Sequence, residues 1–322
     1  MTAARAFWTV AQGQGALREE ALRAPGAEEV LVRTRFSGIS RGTESLVFAG
    51  RVPVSEYERM RCPMMGGAFP FPVKYGYSAV GTVEHGPPQM LGRSIFALAP
   101  HQDRFVAPAS MVHPLPGNLP PRRAVLAANM ETALNILWDA QPLAGERALV
   151  IGAGVVGLLA ALLLRQLPGL AVTLVDRDAR RAALAGRLGL AFAPPEAAPA
   201  EQELIVHASG DPAGLALALA CAADEARILE ASWFGDATCR VPLGGAFHSR
   251  RLRIVASQVG RIAAPMRGRR THAERLALAL ALLDDPGLDL LLDGPTPFDS
   301  LPAAMPAILG APGALCHVVT YP

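Results

Sequence analysis

Residues 148–176 read ALVIGAGVVGLLAALLLRQLPGLAVTLVD. The run Ala148–Leu164 carries no charge, yet it is short for a helix that crosses a bilayer. It divides more naturally. Ala148–Ile151 is short and β-prone. Gly152-Ala153-Gly154-Val155-Val156-Gly157 is a glycine pattern, and the Leu/Ala stretch behind it is helix-forming up to Arg165. Pro168-Gly169 ends that helix, and Ala171–Val175 is a second β-rich run closed by Asp176. Strand, glycine turn, helix, strand is a βαβ unit. The elements are apolar all round because a parallel sheet with helices on its faces buries them. No membrane partner is expected.

The glycine spacing carries chemistry only in this context. Gly152 allows a tight turn, Gly154 lets a pyrophosphate approach the backbone, and Gly157 lets helix and strand pack closely. The free amides of Val155, Val156 and Gly157, at the positive end of the helix dipole, suit a phosphate. Asp176 lies nineteen residues after Gly157, where an acid accepts hydrogen bonds from ribose hydroxyls. Its charge repels a 2′-phosphate, so NAD is favoured, while Arg177, Arg180 and Arg181 leave NADP open.

Working outward, Glu203–Ala208, Ala226–Ser232 and Arg253–Ser257 read as further strands, with the turn Ser209-Gly210-Asp211-Pro212 and an Ala/Leu helix after the first. Turns at the carboxyl ends of such strands, Ser209 and Gly210 among them, line the nicotinamide crevice. Residues 120–262 are therefore expected to form an α/β Rossmann domain, a doubly wound parallel sheet. Residues 1–119 are rich in Gly and Pro, with short alternating runs at Val30–Thr34, Ala79–Glu84, Ser94–Leu98 and Arg104–Val106. They predict a mostly antiparallel β domain. Residues 263–322 hold one helix near His272–Leu283 and a strand at Ala314–Thr320, too little for a domain, and are expected to complete the first one.

Composition narrows the function. The chain has 322 residues, 51% hydrophobic and 18% charged, which excludes a disordered chain. A net charge of +2 is too mild for a nucleic-acid partner, and the Arg-rich segment 250–275 lacks interleaved aromatics. That segment reads either as a solvated face or as a site for an anionic substrate. Cys62, Cys221, Cys239 and Cys316 are scattered and form no CxxC, which argues against a zinc ribbon or a disulfide scaffold. With no signal-like N-terminal segment, the cytoplasm is the expected location. Of 30 basic residues, Lys74 is the only lysine. His207 is read as a core residue, and His101 and His248 either as structural residues or as residues that reach the cofactor crevice.

With these residues in view, the chain resembles the medium-chain dehydrogenase/reductase superfamily of zinc alcohol dehydrogenases and quinone reductases. The resemblance rests on Pro25–Val32, Ser37-Gly38-Ile39-Ser40-Arg41-Gly42-Thr43-Glu44, Tyr75-Gly76-Tyr77-Ser78-Ala79-Val80-Gly81 and Ala144–Leu158. It implies a GroES-like catalytic domain, a Rossmann cofactor domain, hydride transfer in a cleft between them, a small-molecule substrate and a homodimer. The zinc ligands of the superfamily are replaced. Ser40 stands for a cysteine, Tyr77 for a histidine, and Ala128 falls near the third position. Serine and tyrosine are not usual zinc ligands and alanine cannot be one, so no zinc is expected. Without a Lewis acid, another group must handle the proton. Tyr77 is the expected donor, with Ser40 and Lys74 orienting it and Thr43 and Glu44 completing a polar network. Lys74 is expected either to lower the pKa of a neighbouring tyrosine or to bind an anionic substrate. Arg41 stands where the superfamily often places a base on the pyrophosphate.

The leading expectation is an NAD(P)-linked alcohol dehydrogenase or carbonyl reductase that works without zinc. Three alternatives stay open: an NADPH-linked enoyl or quinone reductase, a dehydrogenase of a tetrapyrrole side-chain alcohol, and a non-catalytic NAD(H)-binding redox sensor. The third arises from the lost ligands. The second rests on short motifs similar to the bacteriochlorophyllide hydroxyethyl dehydrogenase branch, from which the segment Ser55–Pro72 departs.

Overall fold

The computed structural model describes residues 2–322. The chain forms two compact units, one running to Ala128 and including Leu276–Pro322, the other Asn129–Arg275.

The second unit is built on a six-stranded parallel sheet. In chain order its strands are Arg147–Ile151, Ala171–Val175, Ala191–Ala193, Gln202–His207, Ala222–Glu230 and Arg253–Ala256. Across the sheet they run third, second, first, fourth, fifth, sixth. This is the doubly wound order, and it reverses between the first and fourth strands. There Ile151 pairs with Val175 on one side and His207 on the other, so the carboxyl ends carrying Gly152 and Ala208-Ser209 lie side by side. The helix Val155–Arg165 explains the high hydropathy of this stretch, since every residue from Gly157 to Leu164 is buried. Leu149, Ile151, Val175, Ile205, Leu215 and Ile228 form a core on the sheet.

The first unit is mostly antiparallel. A hairpin of Thr2–Ala11 and Gln14–Leu22 opens a four-stranded sheet completed by the two-residue strands Val73–Lys74 and Gly66–Gly67. A seven-stranded sheet holds Glu29–Ile39 between Cys316–Thr320 and Ala79–His85. Its core is Val30, Val32, Val83, Ile95 and Phe105. One pair is parallel: Leu292–Pro297 with Cys316–Thr320. A parallel pair needs a crossover, which the helix Leu301–Gly310 supplies. Pro302 and Pro306 hide that helix from propensity reasoning, although Leu301, Met305 and Ile308 bury one face of it.

Three arginines of the Arg-rich segment have acidic partners. Arg275 is 1% exposed, with Nε 3.0 Å from Glu131 Oε1 and Nη1 donating to Asn135 Oδ1 at 2.5 Å. Arg250 pairs with Glu201 and Asp224, and Arg251 with Glu225. Acids distant in sequence pair with Arg250, Arg251 and Arg275, while Arg253, Arg261, Arg267, Arg269 and Arg270 remain exposed.

Candidate active site

The glycine turn of the second unit has three different glycine requirements. Gly152 adopts φ +106°, and a Cβ there would stand 2.7 Å from the Ser209 backbone. Close packing at the strand reversal therefore excludes a side chain. A Cβ on Gly157 would lie 1.9 Å from the Gly152 carbonyl oxygen. Gly154 differs, because a Cβ there would meet nothing within 4 Å. Its backbone is ordinary extended geometry, so the space rather than the conformation distinguishes it. Gly154 is also the N-cap of the helix and has no side-chain cap for the first-turn amides of Val155, Val156 and Gly157. An open cradle with uncapped amides fits a dinucleotide pyrophosphate.

Asp176 closes the turn. Its Oδ2 accepts from Ala153 N–H at 2.7 Å and its Oδ1 from Asp178 N–H at 2.8 Å. Each carboxylate oxygen keeps a lone pair for a ribose hydroxyl. Of the arginines beside it, Arg180 forks onto Asp178 at 2.7 and 2.8 Å, and Arg181 is buried. Arg177 reaches across to Asp211 Oδ2 at 3.0 Å. Ser209 and Gly210 lie in the turn after the fourth strand. Ser209 Oγ is 2.6 Å from His207 Nε2, and Gly210 N–H donates to Ser232 Oγ at 3.1 Å. His207 is fully buried, with Nδ1 2.7 Å from Glu230 Oε2, so it is more than a core filler.

In the first unit, Ser40 is the N-cap of the helix Arg41–Phe48. Its hydroxyl makes no cap bond, and Glu44 reaches back to accept from Ser40 N–H at 2.7 Å. Half-buried Tyr77 hydrogen-bonds the hydroxyls of Ser40 and Thr43. Three residues from two separate sequence motifs thus meet at one oxygen. Burial, and secondarily the Glu44 charge, push the Tyr77 pKa above its ordinary value, while the two hydroxyls oppose that shift.

Lys74 does not join this cluster. Its Nζ lies 2.6 Å from Glu20 Oε2 and 5.9 Å from the Trp8 ring centroid, in the four-stranded sheet. The expected lowering of a tyrosine pKa is therefore replaced by a rise. Arg41, at the start of the short helix, donates to the Ala314 carbonyl at 2.8 Å.

A buried chain behind the cluster escaped sequence reasoning. His101 Nε2 is 2.8 Å from Glu44 Oε2, and both side chains are almost fully buried. His101 Nδ1 is 2.8 Å from Ser37 Oγ, which is 2.9 Å from Tyr321 Oη. These partners are 57, 64 and 284 residues apart, so no local motif could signal them. Tyr57, Phe69, Tyr75 and Tyr77 form a succession of ring contacts at 5.6–5.9 Å, bringing the segment Ser55–Pro72 onto the cluster.

The residues at the superfamily's zinc positions do not fit zinc. Ser40 and Tyr77 are hydrogen-bonded hydroxyls, and Ala128 offers no donor side chain. Among the described residues, no group of three or more His, Cys, Asp or Glu side chains could hold a metal. Among the described residues, no helix is long and apolar enough to cross a membrane.

No family model matches the sequence, and no curated protein matches it significantly. Solved structures do resemble it. L-idonate 5-dehydrogenase from Escherichia coli K-12 aligns at TM-score 0.82 and 14% identity, covering 99% of this chain and 98% of that one. A protein from Sinorhizobium meliloti 1021 described as a zinc-binding dehydrogenase, bound to NADP, aligns at 0.79 and 17%, covering 99% and 100%. An alcohol dehydrogenase from Escherichia coli CFT073 complexed with NADH aligns at 0.78 and 17%, also covering 99% and 100%. Likeness at such identities establishes architecture, and the architecture is the Rossmann and GroES-like pair of the medium-chain dehydrogenases and reductases.

Proposed function

We propose that the protein is an NAD(P)-linked oxidoreductase acting on an alcohol/carbonyl pair, with Tyr77 rather than a metal handling the proton. The observation that carries the cofactor reading is the open cradle at Gly154 over uncapped helix amides, with Asp176 beside it. Val155, Val156 and Gly157 would hold the pyrophosphate and Asp176 the adenosine ribose. The turn at Ser209 and Gly210 would flank the same dinucleotide. When bound, the nicotinamide supplies or accepts the hydride.

The chain's own residues then account for the proton. A tyrosine pushed above its ordinary pKa stays protonated at neutral pH and is a donor, not a base. Tyr77 Oη donates its proton to the substrate oxygen as negative charge develops there. The Ser40 and Thr43 hydroxyls hydrogen-bond the phenolate oxygen that remains and stabilise it until it is reprotonated. Glu44 holds the Ser40 backbone in place and is itself held by His101. This arrangement favours carbonyl reduction at neutral pH over alcohol oxidation.

The test is a panel of ketones and aldehydes with NADH and NADPH, against enones and quinones. Turnover of simple carbonyls, with the reverse alcohol oxidation in alkali, supports this reading. Turnover confined to enones or quinones assigns the reductase alternative. Tight NAD(H) binding without turnover assigns the sensor.

A further inference from the structure

Arg177 follows Asp176 directly and is 83% exposed, so it is the cation best placed to receive a 2′-phosphate on the adenosine ribose. It is engaged. Its Nη1 lies 3.0 Å from Asp211 Oδ2, across the first strand's glycine turn from the loop after the fourth strand. Arg180, the next exposed cation, is held by both oxygens of Asp178.

Asp211 is fixed from several directions. Its Oδ1 caps the helix Pro212–Cys221 by accepting from Ala213 N–H at 3.0 Å. Its own N–H donates to Ser209 Oγ at 3.1 Å. Ser209 Oγ is held by His207 Nε2 at 2.6 Å, and His207 Nδ1 by Glu230 Oε2 at 2.7 Å. Glu230 Oε1 in turn accepts from Ser232 N–H at 2.8 Å. Buried His207, paired with half-buried Glu230, thus holds the loop that presents the Asp211 carboxylate to Arg177.

We propose that Asp211 is a specificity-determining residue of the dinucleotide site. It neutralises Arg177 and, with Asp176, sets the site against a 2′-phosphate, so that NADH is chosen over NADPH. His207 and Glu230 are positioning residues for it. This rests on the dinucleotide reading of the second unit. An exposed ion pair adds little to folding, but it decides what charge the neighbouring ligand meets.

Asp211→Asn separates charge from structure, because asparagine caps a helix as well as aspartate does. The experiment is calorimetric titration of the full chain with NADH and with NADPH at low ionic strength, for wild type, D211N and D211N/R177Q. Wild type should bind NADH more tightly. D211N should shift the ratio of the two Kd values toward NADPH by roughly two- to fivefold, as expected for release of one exposed charge pair. D211N/R177Q should lose that shift, and high salt should shrink it. An unchanged ratio in D211N, a shift that survives in D211N/R177Q, or a wild type that prefers NADPH overturns the proposal. A wild type that binds neither nucleotide overturns the dinucleotide reading itself, and the proposal with it.

Discussion

At Tyr77, burial and the Glu44 charge outweigh the two hydroxyls that would ease ionisation. The consequence for pH has a definite sign. Tyrosinate, the form needed to take a proton from an alcohol, is populated only above the ordinary tyrosine pKa of about 10. Alcohol oxidation should therefore climb steadily with pH from neutrality to about 10, while carbonyl reduction stays flat over the same range. A plateau in the oxidation rate near neutrality, measured as initial rate against pH, would show a depressed tyrosine pKa and contradict this site. Tyr77, Ser40 and Thr43 were legible in the sequence because aligned motifs brought them together. Lys74 was misleading because sequence adjacency to Tyr77 says nothing about direction, and its ammonium turns to Glu20 and Trp8.

At the scale of the element, the βα turn separates folding from binding. Gly157→Ala would place a Cβ 1.9 Å from a carbonyl oxygen, and an overpacked site of this kind costs about 1–3 kcal/mol or more. A Cβ on Gly154 meets no atom within 4 Å, so in Gly154→Asp the melting temperature should stay near wild type while the new carboxylate abolishes nucleotide binding. Melting and titration of both variants check the contrast, and normal NADH binding by G154D would remove the site assignment. Helix packing provides a second case. Arg275→Ala strands Glu131, whose pKa burial already raises, and should destabilise by about 3–5 kcal/mol in denaturant titration. Adding Glu131→Gln should recover part of that loss. Read as one of eight neighbouring arginines, Arg275 looked like surface; only its partner 144 residues away makes it core.

For the whole molecule, alkaline pH is the sensitive direction. Burial pushes Cys62 and Cys316 up to about 12 and raises Tyr75 and Tyr321 as well. In the unfolded chain these groups ionise near their ordinary values, about 8.5 for thiols and 10 for tyrosines. The contribution of these groups to stability is therefore complete below about pH 8.5 and is lost progressively as pH rises toward the folded values. Five strands of the parallel sheet were readable because strand, glycine turn and helix follow one another along the chain, whereas the short edge strand Ala191–Ala193 was not. The N-terminal hairpin, the helix Leu301–Gly310 and the chain Tyr321–Ser37–His101–Glu44 were not, because long-range pairing decides them. The most direct test of a metal-free, tyrosine-based proton donor is carbonyl reduction by wild type and Tyr77→Phe on samples whose zinc content is measured in parallel. The expected result is turnover independent of zinc and lowered by about 10²-fold or more in Y77F, with nucleotide binding intact. Turnover that tracks bound zinc and survives in Y77F would contradict it.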